Sequence, residues 1–157
     1  LSKFRNENIA VIPQGGGAIY SLTAEENIRL ARNICGRQEE KDILPLMKEL
    51  GIELLKDAYP SELSGGELRR VAIAGALCRD TGILLADEPT SDLDEENTDI
   101  VAKLLRRAAD SGKTVFVVTH EMDMLPYADS HYIMKEGALR KADEKIKAIS
   151  CELSADS

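Results

Sequence analysis

The chain has 157 residues, of which 43% are hydrophobic and 31% are charged, as is typical of a single globular domain. Its formal net charge of −8 disfavours nucleic acid and anionic lipid as partners, because both are bound through Lys and Arg. No run approaches the ~20 apolar residues of a membrane helix, no signal peptide is recognised, and the three cysteines (Cys35, Cys78, Cys151) indicate reduced thiols.

The first predicted elements are a strand and a capped helix. An apolar run at residues 8–12 predicts the strand, and Pro13 ends it. Thr23, with Glu26 three residues later, predicts a capping box at the start of the helix. The helix is expected to end at Gly36 and to carry its apolar residues on one face (Ile28, Ala31 and Ile34).

A second helix is predicted at about residues 40–50, with Pro45 as a kink and Gly51 as its C-cap. Residues 52–56 predict one or two further turns. Residues 18–63 therefore form a predicted helical insert.

Helices and buried strands alternate after the insert. Helices are predicted at residues 65–79 and 95–109, the second capped by Asp94, and strands at residues 83–86 and 115–118. The helix at residues 95–109 is expected to bury a face made by Ile100, Leu104 and Ala108. Near-continuous apolar strands between helices predict an α/β fold whose parallel sheet is covered on both faces.

The C-terminal part is predicted to be a hairpin and a tail. The hairpin lies at residues 131–140 with its turn at residues 136–137. The charged tail at residues 141–157 is predicted to be helical.

The sequence LSGGE at residues 63–67 combines a helix cap with two glycines. Ser64 and Glu67 fit a capping box. Glycine within a helix costs roughly 1 kcal/mol relative to alanine, so Gly65 and Gly66 indicate that something approaches the backbone closely. Amides at a helix N-terminus bind phosphate, and the cap and an anion site are compatible with each other.

Asp87 and Glu88 end the apolar strand at residues 83–86. Two solvated acids at a strand end are common. The functional interpretation is that Asp87 holds Mg²⁺ while Glu88 polarises an attacking water, since ligands gather beyond the carboxyl ends of parallel strands.

Two polar residues that follow strands are further candidates. His120 follows the strand at residues 115–118, which we expect beside the Asp87 strand, and Gln14 follows the first strand. Each is an ordinary loop residue when considered alone. No phosphate-cradling loop is found. Residues 15–17 are glycines without a following Lys. Residues 112–114 (GKT) would need a glycine five positions before Gly112, and that position is Arg107.

In this order, the motifs closely resemble those of the nucleotide-binding domain of ABC ATPases, over about residues 8–140. Gln14 is similar to the Q-loop glutamine, residues 63–67 to the signature motif, residues 83–88 to Walker B with the catalytic glutamate, and His120 to the switch histidine. A further group resembles the D-loop (Ser91, Asp92 and Asp94), with Asp92 where Ala is usual.

The resemblance implies the C-terminal half of a P-loop NTPase core with a small helical subdomain. The implied parts are residues 1–17 (strand and Q-loop), 18–63 (helical subdomain), 64–140 (core) and 141–157 (tail). Walker A is expected upstream of Leu1, so the chain is interpreted as a fragment or truncated version. Gly75 stands where Arg is usual, which we expect to loosen a contact of its helix.

The implied cofactors are ATP and Mg²⁺, and the implied site residues fall into three groups. The catalytic residues are Glu88, His120 and Gln14; Asp87 and Gln14 hold the metal; and Ser64, Gly65, Gly66 and Glu67 bind ATP across a dimer. The implied partners are a second ABC ATPase domain, identical or different, and membrane-spanning transporter subunits. No nucleic acid is expected, and the location is cytoplasmic, at the inner face of the membrane.

The leading hypothesis is an ATP-hydrolysing subunit of an ABC transporter, without turnover when this chain is alone because Walker A is absent. An alternative is a non-catalytic module that donates a signature motif to a complete ATPase. A chromosome or repair ATPase head ranks lower, because the fifty residues between Gln14 and Ser64 lack sustained heptads.

Overall fold

The protein is an α/β chain whose computed structural model describes residues 7–15, 17–34 and 42–142. It divides into two compact units, Leu1–Thr119 and His120–Ser157. Within the described residues, no helix is both long enough and apolar enough to cross a membrane.

A three-stranded parallel sheet forms the centre of the first unit. Its strands are β1 (Ile9–Ile12), β2 (Ile83–Asp87) and β3 (Thr114–Val118), in the order β1-β2-β3. Ile12 lies opposite Ala86, and Ala86 lies opposite Val117. This register brings the carboxyl ends of all three strands to one edge, as the sequence predicts for the second and third.

Two helices cover one face of the sheet. They are α3 (Gly65–Leu77), which contacts β1, and α4 (Glu95–Asp110), which contacts β3. Right-handed crossovers that run in the same direction across a sheet place their helices on the same side. The strand residues on this side are buried (Ala10, Ile12, Leu84 and Ala86).

The other face of the sheet is exposed in the part of the chain that the structure describes. Its large apolar side chains are 36–52% exposed (Val11, Leu85, Phe116 and Val118). The expectation of a sheet covered on both faces is therefore wrong for these residues. A near-continuous apolar run shows that both faces of a strand are suited to burial, but it does not show which segment covers each face.

The helical insert begins with α1 (Ala24–Asn33), which packs against α3. The predicted capping box of Thr23 and Glu26 is confirmed. Ile28 is buried, but Ile34 is 54% exposed because the helix ends before it, so the predicted three-residue face is wrong at that position. Gly36, the predicted end, lies outside the described residues.

The second helix of the insert, α2 (Leu44–Glu49), is shorter than predicted. Pro45 lies in its first turn, where the missing N–H costs nothing, so the predicted kink is wrong. Gly51 ends the helix with φ +64°, and the Ile52 amide donates to Met47 O at 2.9 Å. These contacts form a Schellman motif, which confirms the predicted stop. Two 3-10 turns follow, Glu53–Leu55 and Pro60–Glu62.

The long helices end close to their predicted positions, but the buried face of α4 differs. Asp94 caps α4 as predicted, by accepting from the Asn97 amide at 2.8 Å. Leu104 is buried, whereas Ile100 and Ala108 are only partly buried. The face that packs is rotated from the predicted one and is made by Thr98, Val101, Ala102, Leu104 and Leu105.

The second unit contains a 3-10 helix (Met122–Tyr127) and the predicted hairpin of β4 (Tyr132–Lys135) and β5 (Ala138–Lys141). Its turn residues Glu136 and Gly137 have φ of +51° and +77°, as a two-residue type I′ turn requires. The predicted helical tail falls almost entirely outside the described residues.

Candidate functional site at the carboxyl ends of the strands

Three loops leave the carboxyl edge of the sheet side by side. Ile12, Ala86 and Val117 are level in the sheet, so the residues that follow them emerge together. The structure thus brings Gln14, Glu88 and Thr119 to the same edge.

Glu88 is held in a strained conformation. Its φ is +45°, a region that non-glycine residues rarely adopt and that costs of order 1–3 kcal/mol. Its amide donates to Val118 O at 2.8 Å, and its carboxylate accepts from the Thr119 hydroxyl at 3.1 Å. The strain is maintained because main chain and side chain are both fixed, as is found at catalytic positions.

Thr119 is a site residue that sequence reasoning missed. Its hydroxyl orients one carboxylate oxygen of Glu88. The only local signal is a hydroxyl residue directly after a strand, which is too common to single out.

Asp87 presents its carboxylate at the exposed strand end, and Gln14 is exposed in the neighbouring loop. Among the described residues, no group of three or more His, Cys, Asp or Glu side chains is arranged to hold a metal ion. This donor set fits Mg²⁺, which is bound by one or two carboxylates, substrate phosphates and waters rather than by a protein cage.

Arg69, on α3, is the second residue that sequence reasoning missed. It is 4% exposed and donates to Pro89 O at 3.1 Å and to Asp87 O at 2.8 Å. It also donates to the carbonyls of Glu88, Pro13 and Gly15. Burial lowers the pKa of Arg69, while nearby Asp92, Asp87 and Glu88 raise it. An arginine nonetheless stays protonated.

The first turn of α3 has the predicted reciprocal cap. The Glu67 amide donates to Ser64 Oγ at 3.3 Å, and the Ser64 amide donates to Glu67 Oε2 at 2.8 Å. The Ser64 hydroxyl donates to the same carboxylate at 2.7 Å. The hydrogen bonds from the Ser64 main chain and hydroxyl hold the pKa of Glu67 below its usual range.

The two glycines of this turn have different surroundings. A Cβ on Gly66 would lie 3.3 Å from Asp92 O, so its close neighbour is the loop after Glu88. A Cβ on Gly65 would meet nothing within 4 Å. At Gly66, the group that closely approaches the backbone is therefore part of this chain. At Gly65, the space next to the backbone is open.

The loop at residues 91–94 connects Glu88 to α4. The Ser91 hydroxyl donates to Glu88 O at 2.9 Å, and Asp92 has φ +67°. Hydrogen bonds from Asn97 lower the pKa of Asp94, because its carboxylate caps α4. Asp94 thus has a structural role in this chain.

His120 begins the second unit, directly after Thr119. The strand before it lies beside β2, as predicted. Its catalytic role stays a prediction.

A cavity of about 220 Å³ lies beside the candidate site, between β1, α1 and α3. Small and apolar residues line most of it, and Asp87 and Glu88 are not among them. The acidic residues therefore lie on an open edge rather than in this cavity.

The sequence model of a family described as "ABC transporter" matches residues 2–91, which is more than half of the chain. The macrolide export ATP-binding/permease protein MacB of Chlorobium phaeobacteroides is 36% identical, and the match covers 97% of this chain and 24% of that protein. The methionine import ATP-binding protein MetN 1 of Bacillus cereus is 39% identical, with 88% of this chain and 41% of that protein covered. The chain thus spans less than half of each relative.

Solved structures agree with the fold. A dimeric ATP-binding cassette in a post-hydrolysis state with ADP and phosphate has a TM-score of 0.79 at 32% identity. The match covers 89% of this chain and 65% of that one. The ATP-binding subunit of an ABC transporter has a TM-score of 0.82 at 24% identity, which shows the shared fold alone.

Proposed function

The chain belongs to the ABC transporter family, and on that premise we propose that it forms the C-terminal half of an ATP-hydrolysing subunit that drives transport across a membrane. The observation that carries the proposal is the shared edge of the sheet, where Gln14 and Glu88 emerge level with each other. Phosphoryl transfer needs positioned groups of this kind more than covalent chemistry.

In this proposal Glu88 orients the attacking water, and Thr119 fixes the orientation of its carboxylate. Asp87 and Gln14 would hold Mg²⁺, which would supply neutralisation of phosphate charge. His120 acts as the switch histidine. The role of Glu88 is supported by its strained backbone, by the hydrogen bond from its amide to Val118 O and by the hydrogen bond that its carboxylate accepts from Thr119.

We assign Ser64, Gly65, Gly66 and Glu67 to a different ATP, bound between this chain and a second ABC ATPase domain. The solved relative with ADP and phosphate is dimeric. The open surroundings of Gly65 at a capped helix N-terminus support an approach of phosphate from outside the chain.

Membrane-spanning transporter subunits are the proposed second partner, at the cytoplasmic face of the membrane. The helical insert exposes apolar side chains that suit such contacts: Ile19 is 45%, Tyr20 67% and Leu54 91% exposed. The relatives named for macrolide export and methionine import differ in direction, so the proposal names no substrate.

The test is ATP hydrolysis by the product of the complete reading frame that encodes these residues. We expect turnover that Glu88→Gln abolishes, and none from the 157-residue chain alone, since it contains no phosphate-cradling lysine loop. Hydrolysis by the isolated chain that Glu88→Gln removes would contradict the proposed need for that loop.

The alternative, a module that only donates its signature helix, makes a different prediction. Here the isolated chain changes the turnover of a complete ABC ATPase, and Ser64→Arg removes the change. Turnover by the complete product that survives Glu88→Gln, together with a Ser64-dependent effect in the mixture, would favour the module.

A further inference from the structure

Arg69 joins parts of the candidate site that are far apart in sequence. A guanidinium has five N–H groups. Nε donates to Pro89 O, Nη1 to the carbonyls of Pro13 and Gly15, and Nη2 to those of Asp87 and Glu88. All five N–H groups are therefore used, and every acceptor is a main-chain carbonyl.

The five carbonyls belong to two loops that carry the proposed catalytic residues. Pro13 and Gly15 lie on either side of Gln14. Asp87 and Glu88 supply their own carbonyls, and Pro89 follows them. Arg69 thus holds both loops by their main-chain carbonyls rather than by the side chains of Gln14, Asp87 and Glu88.

The residue with the strained backbone, Glu88, is also one that accepts a hydrogen bond from Arg69. Glu88 has φ +45°, and its carbonyl accepts from both Arg69 and the Ser91 hydroxyl. Strained residues persist where the surroundings determine their geometry. Arg69 is one of the groups that determine it here.

We propose that Arg69 is a positioning residue, which fixes the Gln14 loop and the Asp87–Glu88 loop in one arrangement and ties both to the helix that Ser64 caps. This inference rests on the proposed function for its catalytic consequence. Its geometric part, the coupling of the two loops, does not depend on that function.

Other side chains cannot reproduce these contacts. Lys has the same charge but three donors on a single atom, and Gln has two donors. Neither reaches five carbonyls spread over residues 13–15 and 87–89. Even the conservative change Arg69→Lys should therefore release at least one loop.

The catalytic test is the kinetics of Arg69→Lys in the product of the complete reading frame. Misplacing catalytic groups by about 1 Å costs on the order of 10²-fold in rate. We expect kcat to fall about 10- to 100-fold, while KM for ATP stays within about twofold, because the phosphate-cradling loop is untouched.

The matched control is Ile73→Val, a fully buried change on the same helix, which should leave kcat unchanged. An unchanged kcat in Arg69→Lys, or equal losses in both variants, would overturn the proposal.

The geometric test is native-state hydrogen exchange of the wild-type chain, so it remains decisive even if every Arg69 variant fails to fold. The Arg69 Nε–H, which donates to Pro89 O, and the Nη1–H groups, which donate to the carbonyls of Pro13 and Gly15, should open with the same free energy, because one side chain holds both loops. Different opening energies would refute the coupling. If exchange shows coupling but the complete product hydrolyses no ATP, the proposed function fails and the positioning of the loops stands.

Discussion

At the scale of single residues, local contacts were predictable and distant ones were not. Ser64 and Glu67 are three residues apart, so their capping box follows from the sequence alone. The partners of Arg69 lie 18 to 56 positions away, and no local pattern indicates them. Such contacts depend on the packing of α3 over the strand ends, which composition and periodicity do not specify.

The hydroxyl of Thr119 gives a prediction for Glu88. Thr119→Val removes the donor at 3.1 Å from Glu88 Oε2 while keeping the shape of the side chain. Hydrogen bonds to charged groups contribute about 1.5–3 kcal/mol, so on the proposed function we expect kcat of the complete product for ATP hydrolysis to fall about tenfold or more. Thr119→Ser, which keeps the hydroxyl, is the control in the same steady-state assay. Equal activity of Thr119→Val and wild type would show that Glu88 is oriented in another way.

Gly65 and Gly66 give a matched pair of substitutions. Gly66→Ala places a Cβ 3.3 Å from Asp92 O and should lower the free energy of unfolding by about 1–3 kcal/mol. Gly65→Ala meets nothing within 4 Å, so it should leave stability unchanged or raise it by up to about 1 kcal/mol. Urea unfolding of the two variants measures the difference. Equal stability would mean that the Asp92 loop moves away without cost.

At the scale of elements, strands and caps agree with the sequence, but helix faces deviate. The buried stripe of α4 is centred on Val101 and Leu105, whereas Ile100 and Ala108 were expected in it. Which residues of α4 are buried depends on the side of the helix that packs against the sheet. The sequence predicts that α2 starts at about residue 40, whereas the helix starts at Leu44, because Pro45 suits either a kink or a first turn.

Gly75 makes the approach of two helices testable. A Cβ there would lie 3.2 Å from Ala31 Cβ, so Gly75 lets α3 pack closely on α1, in contrast to the loosened contact that the sequence predicts. Introducing the usual family residue with Gly75→Arg should overpack this contact and cost about 1–3 kcal/mol of unfolding free energy. Gly82→Arg, at a glycine with open surroundings, is the control and should change little. Comparable urea midpoints for the two variants would contradict this close packing.

The cap of α3 predicts a weak pH dependence. The pKa of Glu67 is lowered in the folded chain from its usual 4.5, so its contribution is present above that value and is lost as the pH falls through the folded pKa. Glu67→Gln keeps a side-chain acceptor but does not titrate there. The stability difference between wild type and Glu67→Gln should therefore shrink, by less than about 1 kcal/mol, as urea unfolding is moved from neutral pH to below 4.5. A difference that grows on acidification would have the wrong sign.

At the scale of the whole molecule, alternating apolar strands and helices sufficed to predict a parallel sheet and the edge where its site lies. They did not predict the uncovered face. Sheets of parallel strands are normally covered on both sides, and here both crossover helices lie on one side. Among the described residues, no segment covers the other face, and the strand pattern does not identify one.

The exposed face leads to a prediction that contrasts this chain with the complete product. Phe116 and Val118 are each 52% exposed, so Phe116→Thr with Val118→Thr should change the stability of the 157-residue chain by no more than about 0.5 kcal/mol, and should reduce its binding of a hydrophobic dye. Leu84→Ala, at a side chain that is 1% exposed, should cost about 2–5 kcal/mol in the same urea unfolding.

In the complete product we expect the double substitution to be costly, because a covered Phe loses both apolar burial and packing there. A destabilisation of several kcal/mol in the complete product, with little change in the isolated chain, would show that this face is buried in the core of the complete product. Equal and small effects in both would mean instead that the face stays open in the working protein.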